Sequence, residues 1–430
     1  MRGIEAAMHI YGQCNRGAIV SESLRALGNN LSPGDRVLAT TLCYAVLRRL
    51  SLWKYLRSIY MLPAPEKFSP AAQDAVLVGT AGLLTLVKFA PAVLISSLVD
   101  WTKKRDFRGS RVVNSVLRRV LERGKNEINH LKSDPSLSAL CFVSGFPNWA
   151  ACFLCERYGE KEGRELVSLS SGGVSLSLRL SPDAPRELPL EVEKILKVSE
   201  SPFPECLRLN GTHLPSALPG YKEGWITPQS ESSVVVGNEA ADFDGRYLLD
   251  MCTGRGVKAG QIAQLRPDAV IEGWDLSEGR IAAAQRDMLR LKVENVEFHS
   301  GNSLSLEPQN VPDAVLVDAP CSGSGTWRRH PEGKWRIGPE DIRKMAELQK
   351  KLLSRAFDIV KSGGKVVYST CSLFAEENED VVSATLADFP NMREVPPAES
   401  PYFLQRKHGF ASRPENPWSD GFYMAAFIKG

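Results

Sequence analysis

Four short apolar runs in the second half of the chain each end in a polar residue and a turn: Tyr247-Leu-Leu-Asp250, Ala269-Val-Ile-Glu-Gly-Trp-Asp275, Val315-Leu-Val-Asp318 and Lys365-Val-Val-Tyr-Ser-Thr370. Helix-length segments lie around them, at 229–241, 256–265, 277–291, 339–360 and 376–389, with further strands at 296–299 and 422–429. Runs of branched apolar residues read as buried strands, and their alternation with helices predicts a mostly parallel, doubly wound α/β sheet. Such a sheet binds its ligand outside the carboxyl ends of its strands. The polar residues at those ends are therefore the first candidates for chemistry.

Two of these ends carry a thiol. Val315-Leu-Val-Asp318 runs into Ala-Pro320-Cys321-Ser-Gly323-Ser-Gly325, and Pro320 stops the ladder because it has no N–H to give. Thr370 is followed by Cys371 and Ser372. Free cysteines are most often buried hydrophobes. Cys321 and Cys371 instead sit in polar turns. The other seven cysteines are scattered without framework spacing, and nine in all is an odd number, which fits a reducing compartment. Cys152-Phe-Leu-Cys155 has no second pair to complete a zinc site and reads as two buried thiols, so no metal is expected.

The first 140 residues are of a different kind. Apolar residues recur at helical spacing from Ile4 to Leu27 and from Asp35 to Tyr60, with a break near Leu50. Ser69-Pro70 opens a third helix, Pro91 a fourth, and a fifth runs from Ser110 to Arg123, where Gly124 is expected to end it. These form an all-α bundle. It holds 20 Lys and Arg against 10 Asp and Glu, whereas the remainder holds 33 against 40, so a basic module sits on a mildly acidic body. Lys103, Lys104, Arg105, Arg108, Arg111, Arg118 and Arg119 face only Asp106 in the same stretch, a footprint suited to phosphates. Arg328, Arg329 and His330, between the two thiol motifs, are further candidates for contact with a phosphate backbone or for shaping a substrate loop. No signal peptide is visible. The most membrane-like run, 75–99, is interrupted by Lys88 and Pro91, and its clean 13 residues fall short of the ~20 a spanning helix needs. After a connector near 125–145, helix-like residues from Pro147 to Ser170, a strand at Val174–Leu180 and a helix at 188–198 make a small α+β unit. The expected domains are 1–140, 141–228 and 229–430.

The turn after Asp250 reads Cys252-Thr253-Gly254-Arg255-Gly256-Val257-Lys258. A glycine-rich turn between strand and helix brings backbone N–H groups close to a ligand. Asp275, at the end of the next strand, is placed to accept hydrogen bonds from ribose hydroxyls. An adenosine-bearing cofactor follows. The glycine spacing also suits NAD, so this turn alone leaves the choice open. The thiols decide it. A thiolate adds to an electron-poor carbon such as carbon 6 of cytosine, which makes carbon 5 able to take a methyl group from a sulfonium. One cysteine could attack, a second could assist release, and Asp318 could bond the cytosine edge. Hydride transfer leaves both thiols unused.

In combination, Asp318-Ala-Pro-Cys321-Ser-Gly-Ser-Gly, Arg328-Arg-His-Pro331, Lys334-Trp335, Ser369-Thr-Cys371-Ser and Glu376-Glu-Asn378 resemble the Sun/RsmB-type RNA cytosine-5 methyltransferases. Pro147-Asn-Trp149 and Asp420-Gly-Phe-Tyr423 fit as well. Asp35-Arg-Val-Leu, Leu42-Cys-Tyr-Ala-Val-Leu47-Arg and Val113-Asn114-Ser-Val-Leu117-Arg118-Arg are similar to the NusB-like RNA-binding domain of those bacterial enzymes. The resemblance covers nearly the whole chain. It implies a C-terminal Rossmann-like class I methyltransferase domain, S-adenosylmethionine as cofactor, and one cytosine of 16S ribosomal RNA as substrate. By the same resemblance Cys371 is the nucleophile and Cys321 assists release. The cofactor contacts fall on residues 252–258 with Asp275, Asn302 and Asp318. A cytoplasmic monomer is expected. The chain departs from the family where Arg255 replaces a proline, Val257 a glycine and Asn302 an aspartate, and these changes bear on cofactor affinity. The rival reading is a non-catalytic RNA-binding ribosome-assembly protein with a decayed cofactor site.

Overall fold

Four helices of the N-terminal half start on a side chain that takes up a free N–H of the first turn, as the sequence demands of Ser and Asp before an apolar run. Ser32 Oγ accepts from Asp35 N, Ser69 Oγ from Ala72 N, Asp106 Oδ1 from Gly109 N and Ser136 Oγ from Ala139 N. The computed structural model describes residues 3–27, 31–87, 89–169, 176–199, 201–210, 215–396, 402–412 and 420–430. Lys88 and the start of the strand expected at Val174 lie outside the described residues. The chain divides into two compact units, one of 1–172 with 327–338 and one of 173–326 with 339–430. The three expected blocks thus meet a two-unit division that cuts the middle one, 141–228: its residues up to 172 fall in the first unit and the rest in the second.

The first unit is helical: Gly3–Cys14, Val20–Ala26, Pro33–Arg48, Leu50–Tyr60, Pro70–Thr85, Pro91–Lys103, Phe107–Ser133, Leu137–Ser144, Asn148–Tyr158 and Glu160–Leu169. Leu42, Val46, Trp53, Leu56, Val76, Leu98, Leu117 and Val120 lie in its core. No helix among the described residues is long and apolar enough to cross a membrane. Helix boundaries are one correction, and the stretch expected from Ile4 to Leu27 is two helices, Gly3–Cys14 and Val20–Ala26. The helix of Val113–Leu117 does not end at Gly124 but runs on to Ser133. Gly124 is there for closeness, since a Cβ on it would stand 3.1 Å from Leu84 Cδ1. A second correction concerns Cys152 and Cys155, which are half-buried. Ala150, Ala151 and Leu154 form the inward stripe of their helix and leave both thiols on its flanks.

Residues 327–338 belong to this helical unit. Lys334 Nζ donates to Arg48 O at 2.8 Å, Trp335 Nε1 donates to Leu47 O at 2.6 Å, and Arg336 Nη2 donates to Ala18 O. Trp327 packs on Phe146, with ring centroids 5.2 Å apart. The first two donors supply partners to carbonyls at the end of the Pro33–Arg48 helix, which that helix cannot satisfy itself.

The second unit holds two sheets. The smaller comprises β1 (Leu176–Leu180), β2 (Val198–Ser199), β3 (Cys206–Leu209) and β4 (Ile226–Pro228), antiparallel in the order β2-β3-β1-β4. The larger is built from β5 (Tyr247–Asp250), β6 (Val270–Asp275), β7 (Val296–Ser300), β8 (Ala314–Asp318), β9 (Lys365–Thr370), β10 (Met392–Val395), β11 (Phe403–Gln405), β12 (Phe410–Ser412) and β13 (Tyr423–Lys429). Its order is β11-β12-β13-β9-β8-β5-β6-β7, with β10 also paired to β13. From β7 to β9 the neighbours are parallel, and β13 joins β9 antiparallel. The chain winds outward from β5 to β7, then crosses back to lay β8 on the other side of β5. The crevice between Asp250 and Asp318 is therefore the switch point at which doubly wound sheets take their ligands.

Candidate active site

Asp318 and Ser369 are register partners on adjacent parallel strands, so the turns that follow them leave the sheet side by side. Ala319 N donates to Ser369 O at 2.9 Å, and Gly325 N donates to Cys371 O at 2.9 Å. This pairing brings Cys321 Sγ and Cys371 Sγ to 3.4 Å. Gly323 has φ +66°, which lets the chain fold back between the two. The hydrogen bond shared with Cys371 pushes the Cys321 thiol well above its ordinary value, and low solvent access and the neighbouring Glu377 act in the same direction. Asp318 Oδ1 accepts from Ser369 Oγ at 2.8 Å, and its Oδ2 receives Lys258 Nζ at 2.6 Å. The Lys258 ammonium also lies 5.0 Å over the Phe422 ring. Asp318, Cys321 and Cys371 thus form one cluster, with Lys258 orienting the acid.

Beside it a cavity of about 470 Å³ opens at the carboxyl ends of β5, β6 and β8. Cys252, Gly254, Asp275, Asn302 and Asp318 line it. Thr253, Arg255, Gly256, Val257 and Lys258 are not among its lining residues. Thr253 N donates to Trp274 O at 2.8 Å, and Gly256, at φ +75°, starts the helix Val257–Leu265. These two shape the turn; Arg255 is exposed, and Lys258 is turned to Asp318. Pro320, which ends its strand, also lines the cavity, as do Leu276, Arg280, Ser303, Leu304, Leu348 and Leu352, which were not singled out in the sequence. Leu276 had a signal, a large apolar residue just beyond a strand-ending acid. Leu348 and Leu352 come from the helix Pro339–Ile359 and carried none beyond its amphipathic stripe.

S-adenosylmethionine fits these residues. The volume suits a small cofactor, and leucines with Pro320 offer flat apolar walls to a purine. Asp275 accepts from Gly254 N at 3.1 Å and Ser277 N at 2.8 Å, and a carboxylate retains lone pairs for a ribose diol. A Cβ on Gly254 would meet nothing within 4 Å, so the backbone there borders open space. Asp275 and Asp318 each have a cation beside them, Arg280 at 3.6 Å and Lys258 at 2.6 Å. Deeper in, burial and then Asp318 raise Asp250 to about 7, and burial holds the Cys252 thiol well above its usual range.

In the helical unit, Lys103, Lys104, Arg105, Arg108, Arg111, Arg118 and Arg119 are all exposed. Arg105 stacks 4.0 Å over Trp101, and Lys103 and Arg111 flank the exposed Phe107 ring at 5.7 and 5.3 Å. Lys104 pairs with Glu5 at 3.5 Å. The second basic cluster is corrected. His330 is exposed and Arg329 half-buried, but Arg328 is buried and offers no surface to a phosphate. The apolar packing of Trp327 and the donor role of Lys334 and Trp335 draw that segment inward.

Comparison with known proteins agrees with this arrangement. Residues 241–428 match the 16S rRNA methyltransferase RsmB/F family, and residues 4–122 match the NusB family. The ribosomal RNA small subunit methyltransferase B of Cronobacter sakazakii is 28% identical over 99% of this chain and 97% of its own length. The probable ribosomal RNA small subunit methyltransferase B of Synechocystis is 30% identical over 85% of this chain and 84% of its own. The crystal structure of PH0851 shares the fold over 99% of this chain and 98% of its own, with a TM-score of 0.82 at 22% identity. A family signature on each half and a relative alike along most of both chains leave one assignment: the chain belongs to the ribosomal RNA small subunit methyltransferase B family, S-adenosylmethionine-dependent methyltransferases of 16S ribosomal RNA.

Proposed function

We propose that the protein methylates carbon 5 of a cytosine in 16S ribosomal RNA through a covalent adduct with Cys371, and that Cys321 assists its release. The observation that carries this reading is the pair of thiols at 3.4 Å on neighbouring strand ends, next to the cavity bordered by Asp275 and Asp318. When bound, the cofactor supplies a methyl group on a sulfonium. Cys371, as thiolate, adds to carbon 6 of the base, and the electron pair moves to carbon 5. Asp318, held by Lys258 and Ser369, bonds the polar edge of the ring and favours the adduct. After carbon 5 is methylated its proton passes to solvent, the C–H electron pair re-forms the ring double bond, the sulfur–carbon bond breaks, and Cys371 leaves as thiolate. Cys321, in contact with the leaving sulfur, aids this last step. Cys252, Gly254, Asp275 and Asn302 would hold the cofactor. The target base must leave its stack to reach the thiols, and the cations from Lys103 to Arg119 would grip the backbone. The enzyme acts in the cytoplasm as a monomer.

A covalent trap tests the reading. Undermodified 16S RNA and S-adenosylmethionine are mixed with wild type, Cys321→Ala and Cys371→Ala, and protein–RNA adducts are resolved on a denaturing gel. Cys321→Ala is expected to accumulate adduct and Cys371→Ala to form none. The reverse pattern exchanges the two roles. If no variant forms adduct and wild type transfers no methyl group, the RNA-binding rival replaces this reading.

A further inference from the structure

We infer that Glu377 is a positioning residue for the two thiols, its carboxylate holding the turn of Cys321 and the turn of Cys371 in a single frame. This rests on the cytosine-5 reading for its catalytic meaning. Glu377 is fully buried. Its Oε1 accepts from Ser322 N at 2.8 Å, the residue after Cys321. Its Oε2 accepts from Ser372 Oγ at 2.5 Å, the residue after Cys371. Gln349 Nε2, from the helix Pro339–Ile359, donates to Oε1 at 3.0 Å and to Pro320 O at 2.9 Å, so the strut also reaches the residue before Cys321. A second stitch runs the same way, from Leu373 N to Ser324 Oγ at 2.8 Å.

The strut is itself braced. Tyr368 OH donates to Glu377 O at 2.6 Å, Asn378 Nδ2 donates to Ser372 O at 3.0 Å, and Thr370 Oγ1 donates to Asn378 Oδ1 at 2.5 Å. Among the described residues no cation pairs with the Glu377 carboxylate, whose bonds all come from neutral donors. Its part is therefore to orient the groups around it. A thiol pair that must attack and then help expel the same carbon needs its spacing fixed by supports outside the reacting atoms. The hydroxyls of Ser322 and Ser324 also meet Ser372 Oγ, at 3.2 and 3.3 Å, but Glu377 is the acceptor that takes both a backbone N–H of one turn and the hydroxyl of the other.

Length and charge can be varied separately. Glu377→Asp keeps the charge but shortens the arm, so it cannot reach both turns. Glu377→Gln keeps the span and an acceptor oxygen for Ser322, while its amide can donate to Ser372 Oγ. The first readout needs no RNA: the Cys321–Cys371 disulfide is equilibrated against reduced and oxidised glutathione and scored by peptide mass. Each disulfide formed transfers two electrons to one oxidised glutathione, giving two glutathione thiols. The second readout is single-turnover methyl transfer to 16S RNA, with cofactor affinity and melting midpoint measured alongside. Glu377→Asp is expected to lower the effective concentration of the thiol pair and the methyl-transfer rate each at least tenfold, with cofactor affinity within twofold of wild type. Glu377→Gln is expected to stay within about threefold on both. The inference is overturned if Glu377→Asp behaves as wild type in thiol exchange, if the Gln variant fails while Asp succeeds, or if cofactor affinity and melting fall together with the rate. Should wild type itself transfer no methyl group, the functional reading falls, and thiol exchange alone still decides the role of Glu377.

Discussion

Lys334 carries an amine into the interior of the helical unit, where 1% of the residue is exposed. Burial, and then the charges of Arg48 and Arg49, lower its pKa from 10.5 to about 7. The amine donates to Arg48 O at 2.8 Å, a carbonyl at a helix end. Between pH 7 and 10.5 the unfolded chain holds this proton and the folded chain does not. Stability therefore rises with pH across that window, by about 1.4 kcal/mol per pH unit. Below pH 7 both states are protonated, and the full cost of about 5 kcal/mol stays with the folded state. Lys334→Met keeps the side chain's length and removes the titration. From pH 6 to pH 9 wild type should gain about 3 kcal/mol relative to Lys334→Met, from the two pH units above 7. Lost hydrogen bonding to Arg48 O offsets the variant's baseline by about 1–3 kcal/mol but does not depend on pH. The assay is urea unfolding of both proteins at several pH values, followed by tryptophan fluorescence. Stability curves that stay parallel from pH 6 to 9 would refute the reasoning.

Three further outcomes follow from the geometry. Glu231, 1% exposed, receives Arg208 through two bonds of 2.6 Å, so Glu231→Ala should destabilise by about 3–5 kcal/mol, whereas replacing both partners by apolar residues should recover most of it in thermal melts. Leu276 lines the cavity while 78% exposed, so Leu276→Ala should forfeit about 1 kcal/mol of cofactor contact, about a fivefold weaker binding by calorimetry; unchanged affinity would place the adenosine elsewhere. Changing Arg105, Arg108 and Arg111 to Gln should weaken RNA binding and reduce its logarithmic salt slope by about two, at about 0.7 per phosphate contact on single strands; an unaltered slope would remove this face from the RNA interface.

The strand ends were legible because branched runs that stop at an acid or a proline leave few choices. Asp250, Asp275, Asp318 and Thr370 all stand at the ends of strands. The thiol pair was legible for the same reason, since two strands parallel and adjacent deliver their next residues to one place. Packing was not. Gly124 looked like a helix stop, and only the proximity of Leu84 reveals it as a contact point. Arg328 and its neighbours looked like a cationic loop, because sequence does not say that Trp327 and Trp335 pull the segment into a helical core. Of the cavity, the acid and the glycine turn were readable as chemistry, while Leu348 and Leu352 arrive from a distant helix whose facing is set by the fold. Strands β10 to β12 are short and irregular in pattern, and no periodicity announced them.

The segment Trp327–Gly338 also sets an order of events during synthesis. The helices that it completes are translated first, and the carbonyls of Leu47 and Arg48 stand ready while almost three hundred further residues are added. Only when Lys334 and Trp335 clear the ribosome can the helical unit close on them. By then β5 to β8 are made, and β9, the partner that lays Cys371 beside Cys321, is still to come. The nascent chain thus finishes its first domain before it can assemble the reactive pair, and a truncated product ending before residue 334 lacks both.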